Sequence, residues 1–162
     1  QLQIKFKQSK GVYADNFESL LNFLNNDSIA IVNASGETPD SLINGTQISD
    51  ELALELGLIS RDTTYILAKD AVFDDSYVKT RKNEFILNIQ NLITIPHSDA
   101  TYNIEAGQVE KGNVVVQVFE ISTNYATVFT GLNAKNKSYK LDALLKVGSM
   151  TEASLNGNWK SE

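Results

Sequence analysis

The sequence predicts an α+β fold in which N-terminal helices precede an antiparallel β-meander. The first observation is an amphipathic helical pattern around residue 20, and the second is a series of β-rich runs after residue 100, separated by turns with Gly or Asn. Hydrophobic residues make up 42% and charged residues 21% of the 162 residues, which is typical of a folded globular protein. At this length we expect one domain that spans residues 1–162.

The first nine residues fit two patterns. Leu2, Ile4 and Phe6 alternate as in a strand, whereas Leu2 and Phe6 also lie four residues apart, as on one face of a helix. Both interpretations stay open for this segment, which Gly11 interrupts.

The next element is predicted to be an amphipathic helix. Asp15 is the expected N-cap, and Glu18 follows three residues later as in a capping box. The apolar residues recur at the i, i+3, i+4, i+7 spacing of one helix face: Phe17, Leu20, Leu21 and Leu24. The polar run at residues 25–27 is expected to close the helix.

A strand, a loop and a short helix are predicted to follow. Residues 28–32 form an apolar run with β-branched side chains, which favours a strand. Residues 33–47 contain Gly and Pro and are predicted to form a surface loop. Ser49 is the expected N-cap of a helix of one to two turns, and Gly57 is well placed to end it.

The middle of the chain is less decisive. Residues 63–68 read as a strand, whereas the apolar residues within 76–95 satisfy both the helical and the strand period. We expect a helix or an irregular segment first, and then a strand at residues 92–95 that Pro96 stops.

The C-terminal half carries the predicted meander. Strands are expected at residues 101–105, 113–121 and 125–130, with a hairpin turn at Gly112. Both faces of the second of these strands are apolar, which indicates a central position in the sheet. A helical turn at residues 141–145 and a final strand at 145–150 complete the expected order.

Composition excludes several classes of site. The chain has no cysteine, so disulfides, thiolate metal sites and Cys nucleophiles are excluded. The net charge of −6 argues against binding to a nucleic-acid backbone, and neither a P-loop nor a G-x-G-x-x-G motif supports nucleotide binding. No apolar run approaches the roughly 20 residues that cross a bilayer. We therefore expect a protein that is not an enzyme and that uses no cofactor or metal.

The only histidine, His97, stands beside Ser98 and Asp99. A catalytic triad needs its members to converge from separate elements, with a buried carboxylate to orient the histidine. Sequence adjacency cannot provide that arrangement, so a polar turn is the favoured interpretation.

Acidic residues offer two further candidates, each with a simpler interpretation. A calcium loop would need the EF-hand spacing, which is absent, and an acid/base pair would need a defined separation across a cleft. Solvated surfaces are favoured for both sets, which are Asp70, Asp74 and Asp75 for calcium, and Glu51 with Glu55 or Glu105 with Glu110 for glycoside hydrolysis.

Several blocks resemble an uncharacterised family of membrane-anchored envelope proteins of Bacteroides-type bacteria. The sequence GVYADNF at residues 11–17, followed by Leu-Leu at 20–21 and Phe-Leu at 23–24, resembles the pattern GKY-x-x-x-F-D-x-L-x-x-F of that family. Later blocks fit the same family at residues 55–65, 93–98, 104–107, 145–153 and 157–159. The resemblance implies a periplasmic or surface-exposed domain behind an N-terminal hydrophobic helix, so we expect that an upstream anchor or signal segment has been removed.

A looser resemblance is to the soluble part of type IV pilins and pseudopilins. In those proteins a helix leads into Gly-x-Tyr, a short helix and an antiparallel sheet. The matching positions here are Gly11, Tyr13 and Leu20.

These observations lead to one expected function and one alternative. We expect a non-enzymatic domain that contacts other envelope proteins or copies of itself, with a pilin-like subunit as the more specific form. Its candidate interaction residues are Leu2, Ile4, Phe6 and Trp159, and the 33–47 loop is a further candidate surface. Trp159 either packs on its own domain, which is favoured, or anchors a partner. The alternative is a secreted ligand- or carbohydrate-binding module, which would need a concave site with at least two exposed aromatic rings. The candidate aromatic residues are Tyr77, Tyr102, Tyr125, Tyr139 and Trp159.

Overall fold

The computed structural model describes residues 1–38, 42–43, 46–80, 88–132 and 140–159. N-terminal helices are followed by two-stranded antiparallel ladders and then by a three-stranded antiparallel sheet. The predicted α+β class is therefore confirmed.

The ambiguous N-terminal segment is a helix, α1 (Leu2–Lys10). Its buried side chains are Gln3 and Phe6, which lie three residues apart and so share one helix face. Gly11 ends the helix in the left-handed conformation with φ of +80°, and its N–H donates to the carbonyl of Lys7 at 2.8 Å.

The second helix, α2 (Phe17–Asn26), begins one residue later than predicted, because its N-cap is Asn16 and not Asp15. The backbone of Asn16 is extended, and its side-chain oxygen accepts the N–H of Ser19 at 2.8 Å. The predicted Asp15 cap is therefore wrong, because the Asp15 carboxylate accepts from the Asn16 side chain instead, at 2.7 Å. The predicted end of the helix is confirmed.

Strands β1 (Ser28–Ser35) and β4 (Ser60–Leu67) form a two-stranded antiparallel ladder, which we call the ribbon. Both predicted strands are confirmed, except that Ala68 begins a helix, and both extend three residues further than predicted, away from the helical core. The first three residues of the predicted 33–47 loop belong to β1, so the loop prediction is wrong there, because cross-strand pairing with β4 continues to Ser35.

The segment between the ribbon strands forms a small tip. It contains β2 (Leu42–Ile43), β3 (Thr46–Gln47) and α3 (Asp50–Glu55). The short β2–β3 ladder further corrects the loop prediction, and residues 39–41 and 44–45 of that loop lie outside the described residues.

The helix of the tip agrees with the sequence. Ser49 caps α3 by accepting the N–H of Leu52 at 3.2 Å, as predicted. Gly57 follows with φ of +69°. A separate small core of Ile48, Ala53 and Ile59 packs beneath this helix.

Short helices connect the ribbon to the second sheet. They are α4 (Ala68–Val72), α5 (Asp75–Lys79) and a 3₁₀ helix (Ile89–Ile93). The predicted strand at residues 92–95 is wrong, because the Asn88 side chain accepts the N–H of Gln90 at 3.0 Å and starts a helical turn there. Residues 81–87 of the ambiguous stretch lie outside the described residues.

The second sheet is the predicted meander, in the order β5 (Asn103–Lys111), β6 (Val114–Asn124) and β7 (Leu144–Ser149). The central position of β6 and the hairpin turn are confirmed, with Lys111 paired to Val114 across two turn residues. Residues 119–122 of β6 are thus paired on both sides, with β5 and with β7.

One predicted strand and one predicted helical turn are wrong in this half. Residues 125–130 contain α6 (Tyr125–Val128), because the Asn124 side chain caps it by accepting the N–H of Thr127 at 2.8 Å. The predicted helical turn at 141–145 is a tighter turn, in which the N–H of Ala143 donates to the Lys140 carbonyl at 3.0 Å. The final strand then begins at Leu144.

The main core lies between α1, α2, α4 and the base of the ribbon. Its buried side chains include Phe6, Leu20, Phe23, Leu24, Ile29, Ala68 and Val72. Tyr13 joins this helical layer to the second sheet, since its ring lies 4.7 Å from the Phe119 ring. Within the described ranges, every helix is too short or too polar to cross a bilayer.

Candidate functional site

An apolar groove of about 560 Å³ opens between the N-terminal helices and the C-terminal sheet. Most of its wall is aliphatic or aromatic, as in the clefts that bind ligands or partner side chains. We call it the groove, and its lining includes Leu2, Ile4, Phe17, Leu21, Phe73, Tyr77, Tyr102, Leu145, Val147, Leu155 and Trp159.

The two ends of the described chain meet in the groove. Leu2 and Ile4 project from α1, whereas Leu155 and Trp159 come from the segment after β7. Three of the predicted interaction residues, Leu2, Ile4 and Trp159, therefore line one continuous surface.

Hydrogen bonds fix the C-terminal segment along the outer edge of β7. The N–H of Gly148 donates to the Asn156 carbonyl, and the N–H of Asn158 donates to the Lys146 carbonyl, both at 3.0 Å. The Asn158 side chain donates to the Leu144 carbonyl at 2.7 Å and accepts the Lys146 N–H at 2.9 Å. These bonds pair the sheet edge and hold Trp159 at the mouth of the groove.

Trp159 both packs on its own domain and stays open to solvent. Its indole ring lies against Gly157, where any Cβ would overlap the ring. About half of the residue (54%) remains exposed. The ring is thus positioned by the chain and can still contact a molecule in the groove.

Phe6, the fourth predicted interaction residue, belongs to the core. It is only 8% exposed, and its ring contacts Phe23 edge to face at 5.3 Å between centroids. With Tyr13 it lines a second hollow of about 590 Å³ on another side of α1. Leu2 and Ile4 are only partly buried, so these two side chains of α1 are accessible, whereas Phe6 is buried.

Two of the polar side chains that line the groove, Gln3 and Lys146, have partners within the chain. Gln3 donates to the Ala14 carbonyl at 2.8 Å and accepts the Ala14 N–H at 2.9 Å. The Lys146 ammonium pairs with Glu120 at 2.7 Å. Burial raises the pKa of Tyr102, so its hydroxyl stays neutral. The groove therefore offers mainly apolar contact.

His97 lies in the turn that the sequence predicts. Its φ is +62°, and it is exposed. The neighbouring Ser98 hydroxyl accepts the N–H of Ala100 at 3.0 Å, which stabilises the turn. The turn interpretation is confirmed, and the His97-Ser98-Asp99 cluster does not have the geometry of a triad.

The acidic candidates are dispersed. The Asp74 carboxylate caps α5 by accepting the N–H of Tyr77 at 2.7 Å. Within the described ranges no group of three or more His, Asp or Glu side chains could hold a metal ion. Both glutamate pairs are exposed on α3 and β5, as expected for solvated surfaces.

The other exposed-aromatic candidates divide between the groove and elsewhere. Tyr77 and Tyr102 line the groove, whereas the Tyr125 ring stacks on Phe129 at 6.0 Å between centroids. Tyr139 lies outside the described residues.

Sequence reasoning missed most of the groove wall. Leu21 was assigned to a helix face and Leu145 to a turn. No local sequence pattern indicates that both side chains line the same groove. Leu155 carries no periodic signal, because it lies in an irregular segment. Only the long-range docking of the segment after β7 brings these side chains together.

Comparisons of the chain with protein families, curated proteins and solved structures find no match in any of the three. The resemblance to envelope proteins stays a prediction.

Proposed function

We propose that this chain is a non-enzymatic domain of the cell envelope that acts through contacts with other proteins. The observation that carries the proposal is the groove, an apolar cleft of about 560 Å³ with Trp159 and Leu155 half-exposed at its mouth. Its partner supplies an apolar segment that fills the cleft.

Two features of the groove favour a protein partner. Exposed Trp and Leu side chains at the rim of an apolar cleft are typical of sites that receive the apolar face of a helix or an extended segment. The side chains of Gln3 and Lys146 are already paired within the chain, so they are not free to fix the orientation of a small polar ligand.

The location and the assembly form are proposed on the resemblance described above. The domain is periplasmic or surface-exposed and joins the membrane through an N-terminal segment. Its partners are other envelope proteins or copies of itself, and a pilin-like subunit is the more specific form. The order of a helix ending at Gly11, a second helix and an antiparallel meander is compatible with that form.

The first experiment places a photo-reactive amino acid at Leu155 in the full-length protein in its native cell. We expect irradiation to yield a specific cross-linked protein species. The matched control places the same group at Val114, which is 62% exposed beside the β5–β6 turn and does not line the groove. The cross-link should be absent there.

A second variant distinguishes groove binding from accidental proximity. Ile4→Glu puts a carboxylate into the apolar wall, which should reduce the Leu155 cross-link by about tenfold. Gln8 is exposed on the same helix and lies outside the lining, so Gln8→Glu should leave the yield unchanged. Equal yields from Leu155 and Val114, or a yield insensitive to Ile4→Glu, would refute the proposal.

The second candidate is a ligand- or carbohydrate-binding module, favoured by the aromatic rings of Tyr77, Tyr102 and Trp159 in one concave site. Sugar recognition combines such rings with free polar groups, which the groove offers sparsely. Saturable binding on a glycan array, lost in Trp159→Ala, would favour this candidate over a protein partner.

A further inference from the structure

The ribbon has an edge that no other described strand covers. β1 pairs only with β4 among the described strands, so one side of β1 faces away from the sheet. All of its residues except Ile29 are exposed. An open strand edge is a template for pairing with another chain.

The register shows which backbone groups are available on this edge. The N–H of Ala68 donates to the Asp27 carbonyl at 2.9 Å, one position before Ser28 pairs with Leu67. Hydrogen-bonded and non-hydrogen-bonded pairs alternate along an antiparallel ladder. The outward N–H and carbonyl groups of β1 therefore belong to Ser28, Ala30, Val32 and Ala34.

The edge of β1 lacks the features that normally prevent strand pairing. The sequence SIAIVNAS contains no charge, no proline and no glycine. Three other described edges, those of β4, β5 and β7, differ. The edge of β4 carries Arg61, which is paired with Asp50 at 2.6 Å, and β5 includes Glu105, Glu110 and Lys111. The edge of β7 is occupied by the segment ending at Trp159.

We infer that the β1 edge pairs antiparallel with β1 of a second copy of this chain, which forms a four-stranded sheet across a two-fold axis. This contact is separate from the groove and does not depend on the proposed function.

The symmetry of the strand favours a second copy as the partner. With the axis at Ile31, Ala30 lies opposite Val32 of the other copy, and Ser28 lies opposite Ala34, so outward groups face outward groups. The side chains that then meet are all uncharged, with Asn33 opposite Ile29 and small or apolar residues at the other positions. Two chains of net charge −6 repel each other, and this uncharged edge allows close approach without like charges opposite one another.

Single strand pairing buries little surface, so the dimer should be weak. Sedimentation equilibrium of the whole chain at up to about 1 mM should detect it. Val32→Pro removes an outward N–H without breaking the β1–β4 ladder, so it should abolish self-association. Its matched control is Thr63→Pro, at the cross-strand partner, which removes an outward N–H from the β4 edge and should leave the dimer unchanged.

Cross-linking tests the register, since the chain has no cysteine of its own. Ile31→Cys places two thiols at the axis in a non-hydrogen-bonded pair, where Cβ atoms are close enough for a disulfide. Oxidation should give a covalent dimer at least about tenfold faster than for Thr64→Cys, the cross-strand partner of Ile31. A monomer at all concentrations, a dimer insensitive to Val32→Pro, or equal cross-linking rates would overturn the inference.

Discussion

Buried Gln3 shows how one polar side chain connects two segments. The side-chain amide of Gln3 donates a hydrogen bond to the Ala14 carbonyl and accepts one from the Ala14 N–H. The residue is only 4% exposed. These two hydrogen bonds hold the turn between α1 and α2 against the first helix. The alternating pattern around Leu2 gave no reason to expect a buried glutamine there.

Gln3→Met should therefore lower the free energy of unfolding by about 3 kcal/mol, because the Ala14 N–H and carbonyl would be left buried without partners. Urea denaturation followed by circular dichroism measures the change. The control is Gln8→Met on the exposed side of the same helix, which should change it by less than about 0.5 kcal/mol. Equal effects of the two variants would refute this role for Gln3.

The pKa of Asp50, at the tip of the ribbon, is lowered by its hydrogen bonds. The Thr38 hydroxyl donates to its carboxylate at 2.6 Å, and Arg61 does so from the other side. These bonds lower the pKa of Asp50 below its ordinary value of 3.8, with Thr38 as the larger cause. The bonds favour the ionised carboxylate, so their stabilisation is complete above pH 3.8 and is lost as the pH falls through the lower folded pKa.

Thr38→Val should accordingly raise the pKa of Asp50 toward its ordinary value, and Arg61→Met should also raise it, because that change removes both a hydrogen bond and a positive charge. Carboxyl chemical shifts measured by NMR against pH provide the comparison. An Asp50 pKa that is unchanged in Thr38→Val would contradict this account.

At the scale of elements, capping residues decided several boundaries. Ser49 could be predicted because Asp50 and Glu51 follow it directly in the first turn of α3. Asn16 and Asn124 were missed, although Asn is among the best N-caps, because strand-like or acidic neighbours gave a competing signal. The side chains of Asn88 and Asn124 cap helical segments at positions where the sequence predicted strands.

The corrected cap of α2 is testable. Asn16→Ala should lower the free energy of unfolding by about 1 kcal/mol, since the Ser19 N–H loses its acceptor. Asp15→Ala, at the originally predicted cap, should change it by less than about 0.5 kcal/mol. Thermal unfolding of both variants decides between the two positions, and a larger loss in Asp15→Ala would restore the sequence-based assignment.

At the scale of the whole molecule, local signals predicted the α+β class but not the groove. The meander was predictable because turn residues separate β-rich runs, and the central β6 because both of its faces are apolar. The meeting of Leu2, Ile4 and Trp159 depends on how the segment after β7 docks, which no sequence period encodes. The open edge of β1 likewise required the register of the ribbon.

The most direct test of the groove as a protein-binding surface uses Trp159, the only tryptophan of the chain. The partner captured at Leu155 is purified and titrated into the protein while Trp159 emission is recorded. Filling the groove should bury the indole, so emission should shift to shorter wavelength and saturate at one partner per groove, and Ile4→Glu should weaken the affinity by about tenfold. Full binding with unchanged Trp159 emission and undiminished affinity in Ile4→Glu would contradict the account.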